Sequence, residues 1–282
     1  MVKDECPMFR CTHCGVVFMH PLPTEEFLRI LYSREGKYQR HKPSNTTKTA
    51  PTRRFQRFLD FIKPHPNIKK ILDVGCSSGE FIFFAKQRGY DVWGVEPNEA
   101  TASVAQQDGL RVFHGLLHQA QFEDASFDFI LLADVIEHSR DPRGLFAECV
   151  RILKPGGYIV IETPNFDCFW ARATLRLSRL FHLPWSPISP PWHLFHGTSL
   201  SWKILADEMR LHFRTEWYYP NPGLKNELGS LHLLKRYKQK KSLINACSMF
   251  FGFSLYTVVF TIDRLLTPLL KKNFSMTLIF QK

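Results

Sequence analysis

Through the middle of the chain, apolar residues come in short solid runs separated by amphipathic stretches, a rhythm that predicts strands buried on both faces. The run Lys70 to Val74 leads into a helix reaching about Gly89, and the run Asp91 to Val95 leads into a helix near Glu99 to Asp108. Strands at Arg111 to Phe113 and Phe127 to Ala133 follow, then a helix over Arg143 to Leu153 and a strand at Tyr158 to Thr163. Strand and helix alternate throughout, which indicates an α/β fold with a doubly wound, mostly parallel sheet. Ahead of it Phe55, Phe58, Leu59 and Ile62 recur at helical spacing before Pro64 and Pro66, so a helix over Arg53 to Ile62 feeds the first strand.

The two ends read differently. Residues 1–50 are irregular in pattern, with Cys6, Cys11 and Cys14 ahead of a short helical period at Glu25 to Tyr32, and form an N-terminal arm. Beyond Pro164 the text loosens into an aromatic and Pro-rich stretch before a helix at Ser199 to Met209, a strand at Arg214 to Tyr219 and a last strand at Met276 to Gln281. Between those two strands, Ser242 to Ile262 carries no charged residue. The expected division is an arm over 1–50, a core over 51–222, a basic and apolar helical insertion over 223–272 and a final core strand over 273–282. By length the uncharged segment could cross a bilayer, but Asn245, Ser248, Ser254 and Thr257 dilute it, and a span would separate the last strand from its sheet.

Charge sharpens this picture. The net charge of +11 is concentrated in Arg172 to Lys241, where 12 Lys and Arg face only Asp207, Glu208, Glu216 and Glu227. Such a field is either a solvated basic face or an attraction for nucleic acid, an anionic membrane or a phosphorylated substrate. Seven cysteines, several in apolar segments, do not form the framework of a small secreted domain, and no secretory signal is visible, so a cytoplasmic setting is expected.

The chemistry concentrates where the first strand ends. Asp73-Val74-Gly75-Cys76-Ser77-Ser78-Gly79 places small residues where backbone can approach a ligand at a helix N-terminus, and Glu96 ends the next strand at the offset where a carboxylate can hold a ribose. Dinucleotide enzymes share both features. The turn here is Gly-x-x-x-Gly rather than the three-glycine GxGxxG that seats a pyrophosphate, so a ligand without phosphates is favoured, with an NAD-dependent oxidoreductase or a non-catalytic cofactor-fold protein as alternatives.

Asp73 to Gly79, Gly94-Val95-Glu96-Pro97-Asn98, Phe127-Asp128, Asp134-Val135-Ile136-Glu137-His138, Leu153-Lys154-Pro155-Gly156-Gly157 and Thr163-Pro164-Asn165 resemble, in order and spacing, successive signatures of class I methyltransferases. The branch is similar to the ubiquinone-biosynthesis O-methyltransferases, over roughly residues 68–220. The resemblance implies a Rossmann-like seven-stranded sheet with an antiparallel last strand, and S-adenosylmethionine as methyl donor. It implies donor contacts at Asp73, Gly75, Cys76, Gly79, Glu96, Pro97, Leu116, Leu117, Ala133 and Asp134, with Leu116 and Leu117 flanking adenine. Where the family commonly has glycine, this chain has Ser77. His138, after the fourth strand, and His193, in a Pro-Pro-x-His-Leu segment, are the candidate catalytic bases, and for each a role in orienting a loop is the plain alternative.

Cys11-Thr12-His13-Cys14-Gly15 is similar to one zinc knuckle, and relatives with such an arm carry two. Cys11 and Cys14 are therefore candidate zinc ligands, with Cys6 and His13 or His20 available to complete the set. The aromatics Phe169, Trp170, Trp185 and Trp192 could stack bases, but their place between strand and helix reads better as a substrate lid than as a nucleic-acid site. The expected acceptor is small or lipid-linked. Residues 235–270 meet either a membrane surface, making the protein peripheral there, or the protein itself, including a second copy in a homodimer.

Overall fold

A computed structural model describes residues 2–3, 6–32, 50–181, 191–219, 243–266, 269 and 273–282. Trp185 and the basic run Lys235 to Lys241 lie outside the described residues.

A seven-stranded sheet is built from β4 (Lys70–Val74), β5 (Asp91–Glu96), β6 (Val112–His114), β7 (Phe127–Ala133), β8 (Leu153–Pro164), β10 (His212–Tyr219) and β11 (Ser275–Gln281) in the order β10-β11-β8-β7-β4-β5-β6. β4, β5, β6, β7 and β8 are parallel. β11 runs antiparallel to β8, with Gly156 donating to the Lys282 carbonyl and Asn165 to that of Phe274. The chain winds outward from β4 in one direction through β5 and β6 and in the other through β7 and β8. The reversal beside β4 opens a crevice at the carboxyl ends of the strands, where ligands bind in folds of this kind.

The helices are α1 (Glu25–Tyr32), α2 (Arg53–Ile62), α3 (Glu80–Gln87), α4 (Glu99–Gln107), α5 (Pro142–Ile152), α6 (Phe169–Phe181), α7 (Ser199–Glu208) and α8 (Leu243–Leu266). Their starts are legible: Thr52, Asn98 and Asp141 accept backbone N–H bonds from the first turns of α2, α4 and α5. Phe58, Leu59 and Ile62 bury the apolar stripe of α2, while Ile71, Leu72, Phe129, Ile130, Leu131 and Val160 form the floor of the core.

The chain divides into two compact units. The sheet unit comprises Pro21–Glu162, Leu205–Thr215 and Leu278–Lys282; the hairpin unit comprises Met1–His20, Thr163–Ile204 and Glu216–Thr277. In the hairpin unit the described residues 2–3 and 6–19 of the N-terminal arm form strands and a turn, contrary to their irregular appearance in sequence. β1 (Val2–Lys3), β2 (Cys6–Arg10) and β3 (Val17–Met19) form a meander, and β3 pairs with β9 (Phe195–His196). Strands of two to five residues are too short for a period of two to show.

A second difference concerns the stretch after Pro164. Phe169 to Phe181 is a helix rather than a loop, with Trp170, Ala171 and Thr174 buried and Leu177 packed behind them. Its partner is α8, the uncharged insertion. Trp170 packs on Tyr256 and edge-on against Phe260, with ring centroids 6.2 and 6.0 Å away. Buried Asp263 of α8 accepts the Trp170 backbone N–H and so caps the start of α6. Among the described residues no helix is long and apolar enough to cross a membrane. Another face of α8 stays exposed, with Val258, Ile262 and Leu265 falling on one stripe, while Phe251 packs edge-on against Phe181 of α6.

Candidate active site

At the end of β4 the backbone enters a corner that needs small residues. Gly75 has φ +71°, and a Cβ there would lie 2.5 Å from Val135 Cγ2. Gly79 has φ +75°, and its Cβ would lie 2.5 Å from Leu110 Cδ1. Between them Ser77 also sits in the left-handed region, at φ +50°. A non-glycine residue there costs roughly 1–2 kcal/mol, which accounts physically for the glycine usual at this position in the resembled family. The amides of Gly75 and Cys76 both donate to the Val95 carbonyl, at 2.7 and 3.1 Å, and fix the corner to β5.

Glu96 ends β5 and is buried. Its Oε2 accepts the Ser77 N–H and its Oε1 the Asn98 N–H, each at 2.8 Å. Two backbone donors therefore hold the carboxylate in one orientation, the Thr101 hydroxyl also bonds it, and lone-pair capacity remains for a ligand hydroxyl. Burial raises its pKa, opposed by the Asn98 and Ser77 amides. Gly115 donates to the Glu96 carbonyl at 3.0 Å, which brings the turn carrying Leu116 and Leu117 alongside. Leu117 is buried and Leu116 half exposed, while Pro97 faces solvent.

Asp73 is buried on β4, and burial pushes its pKa up to about 8, with Arg54 opposing and Glu96 reinforcing the shift. Burial likewise drives the Cys76 thiol well up, so Cys76 serves as wall rather than nucleophile. Past Ala133 the chain turns at Asp134, another non-glycine residue at positive φ, +56°. Arg54 Nη1 lies 2.8 Å from Asp134 Oδ2, and its Nε pairs with Glu162 at the end of β8. Asp134 also donates its N–H to the Glu162 carbonyl at 2.8 Å.

Arg54 and Glu162 carry no role in the sequence reading. The signals were a carboxylate closing the apolar run Tyr158 to Ile161 and an arginine in the first turn of the helix preceding β4. Asp73, Asp134, Glu137 and Glu162 act on the one Arg54 guanidinium, and Glu96 acts on Asp73, leaving the crevice net negative. A pyrophosphate would meet carboxylates there, whereas a ribose diol and the ammonium and sulfonium of S-adenosylmethionine meet complementary charge. The donor set fits that cofactor.

The remaining candidates are spread over both units. His138 closes a 3₁₀ turn after β7 in the sheet unit. His193 lies in the hairpin unit, its ring centroid 5.8 Å from that of buried His196. Cys11 and Cys14 flank the β2–β3 turn, tied by Cys11 N–H to Val16 carbonyl at 2.9 Å and Gly15 N–H to Cys11 carbonyl at 3.1 Å. Backbone amides of Cys14 and His13 lower the Cys11 pKa, whereas burial raises that of Cys14. Among the described residues no third His, Cys, Asp or Glu joins the pair within ligating distance. The side chain of Cys6 lies outside the described residues.

The profile of a methyltransferase domain matches residues 40–218. The chain belongs to this methyltransferase domain family. Within it, the chain is similar to the ubiquinone biosynthesis O-methyltransferase of Hahella chejuensis, 34% identical over 116 residues that cover 38% of this chain and 49% of that one. The corresponding protein of Pseudomonas fluorescens is 35% identical over 104 residues, 34% of this chain and 45% of that one. The chain thus spans about half the length of the curated relatives it matches. A SAM-dependent methyltransferase from Archaeoglobus fulgidus superposes with a TM-score of 0.52 at 17% identity, covering 81% of this chain and 92% of that one. One from Methanosarcina mazei superposes with a TM-score of 0.51 at 16% identity, covering 79% and 96%. At such identities the two structures share the fold.

Proposed function

We infer that this chain transfers the methyl group of S-adenosylmethionine to an oxygen of a small or lipid-linked acceptor. The observation that carries the reading is the Gly75–Gly79 corner clasping Glu96 through the Ser77 amide. When bound, the cofactor supplies a methyl carbon already activated by a sulfonium leaving group, so the chain's task is alignment and charge. Glu96 holds the ribose hydroxyls. Asp73 and Asp134 attract the cationic tail, while Arg54 keeps the end of β7 against the end of β8. Leu116 and Leu117 flank the adenine. His138 or His193 takes the proton from the acceptor hydroxyl as the new C–O bond forms. The named activity of the relatives, an O-methyl transfer in ubiquinone biosynthesis, supports the choice of oxygen and of a lipid-linked acceptor.

The exposed stripe of α8 supports a membrane-surface setting, because a helix apolar on both faces needs a second apolar partner. Cys11 and Cys14 would contribute two thiolates to a zinc site in the N-terminal hairpin, a structural rather than catalytic position.

Calorimetric titration with S-adenosylmethionine and S-adenosylhomocysteine, followed by mass spectrometry of a quinol and phenol panel, tests the activity. Saturable binding of both ligands and a product heavier by one methyl group is the expected result; no heat with either ligand overturns the reading. For the surface, Val258→Glu with Ile262→Glu should release the protein from phosphatidylglycerol vesicles. A monomer–dimer shift in sedimentation without loss of vesicle binding would assign that stripe to a second copy instead.

A further inference from the structure

The hairpin unit contains a cavity of about 520 Å³ that none of the residues assigned to the donor site enters. One wall is the Cys11–Gly15 turn with Arg10 at its edge, a second is the start of α6 with Asn165, Asp167 and Arg172, and a third is the first turn of α7, Thr198 to Leu200. Its volume is that of a small-molecule site, yet Leu200 is the one large apolar side chain in its lining, and that residue is mostly exposed. The ring of a greasy acceptor would find little to pack against.

What the walls offer instead is hydrogen-bond donors. Arg10 and Arg172 bring two guanidinium groups, while the hydroxyl protons of Thr198 and Ser199 are already committed to Ser201 Oγ and to Glu216. Asp167 is the cavity's one carboxylate, and Arg172 pairs with it, leaving the lining net positive. The wall formed by α7 is braced: Thr198 and Ser201 exchange backbone-to-hydroxyl bonds, both 3.1 Å, and Ser201 Oγ donates to the Cys14 carbonyl at 2.9 Å. This leaves the Ser199 and Leu200 amides of the first helical turn with no acceptor among the described residues. Guanidinium forks on two sides and helix-start amides on a third match the tetrahedral acceptor array of a phosphoryl group.

We propose that this cavity binds the phosphoryl group of a phosphate monoester or diester, carried by a soluble metabolite or by a lipid headgroup. The site is independent of the methyl-transfer reading, since every wall belongs to the hairpin unit and the donor residues belong to the sheet unit.

The test is calorimetric titration of the full chain with glycerol 3-phosphate and with inorganic pyrophosphate at constant ionic strength, beside sedimentation with phosphatidylglycerol vesicles. The expected result is saturable binding in at least one arm, weakened about tenfold or more by Arg10→Gln and by Arg172→Gln, as loss of a charge-assisted bidentate contact implies. Hydrogen exchange in α6 and α8 should stay unchanged in both variants, which certifies the fold of the hairpin unit that carries them. If Arg172→Gln fails that control, Arg10→Gln alone decides, because its side chain lies at the exposed edge. Binding confined to vesicles and lost in the variants assigns the phosphoryl group to lipid; binding to soluble esters assigns it to a metabolite. Silence in every arm, or binding that neither substitution weakens, overturns the proposal.

Discussion

The donor corner and the hairpin unit solve the problem of holding a site in place by different means. From Asp73 to Asp134 the corner is written in nearly contiguous sequence, and backbone hydrogen bonds with glycines hold it. The hairpin unit gathers three distant segments, and side-chain packing holds it, above all Trp170 against Tyr256 and Phe260. The first kind of site tolerates little change within itself. The second can be rebuilt by exchanging packed surfaces without touching the first, which is how one fold serves many acceptors.

Two substitutions test that separation, one in each region. Glu96→Ala removes the acceptor of the Ser77 and Asn98 amides along with the ligand contact, and should weaken S-adenosylmethionine and S-adenosylhomocysteine about 100-fold or more, as loss of a buried charged hydrogen-bonding group implies. Hydrogen exchange in α8 should be unaltered. Conversely Trp170→Ala opens a cavity in the α6–α8 packing worth roughly 3–5 kcal/mol. Exchange at Tyr256 to Asp263 should accelerate while calorimetric donor affinity holds. If either substitution moves both readouts, the two regions are coupled and the contrast fails.

The same contrast explains what the sequence disclosed. The parallel strands were legible because a buried strand shows as a solid apolar run: Lys70–Val74 and Phe127–Ala133 match the expected bounds. The corner was legible because its conformational needs are local, a positive φ at Gly75 and at Gly79. Arg54 was not, because its partners Asp134 and Glu162 lie 80 and 108 positions later and only the fold brings them to it. The α6 helix was obscured by aromatics and by the Pro-rich text that follows, although Trp170, Thr174 and Leu177 keep helical spacing. The N-terminal hairpin was hidden by strand length, since β3 has three residues and closes its ladder on β9, some 180 residues away.

A smaller effect sharpens the comparison at a single methyl group. Gly75→Ala meets both a positive φ and the Val135 side chain at 2.5 Å. It should destabilise the fold by about 1–3 kcal/mol, through backbone strain and overpacking. The matched change at Gly156, whose Cβ would meet nothing within 4 Å despite φ +78°, should incur the backbone term alone. Thermal unfolding of the two variants separates crowding from strain; equal losses would show that Val135 yields and that the corner is less rigid than its hydrogen bonds imply.

The smallest effect is a fraction of a proton. Asp73 has its pKa pushed up to about 8, chiefly by burial, with Glu96 adding to the shift and Arg54 opposing it. At neutral pH the carboxyl is therefore mostly protonated in the free protein. A donor that brings an ammonium and a sulfonium into this crevice favours the ionised form, so binding should release up to one proton, and affinity should rise with pH until the folded pKa is passed. Stability follows the opposite sign. The folded pKa lies above the ordinary aspartate value of 3.8, so the folded state binds the extra proton between the two values, and stability falls as pH climbs from near 4 to about 8 and is level beyond. Asp73→Asn abolishes both trends. Its melting temperature should exceed that of the parent by a margin that widens with pH, and its donor binding should show the same apparent heat in buffers of different ionisation enthalpy. A margin independent of pH would mean that Arg54 already holds Asp73 ionised in the free protein, and donor binding would then release no proton.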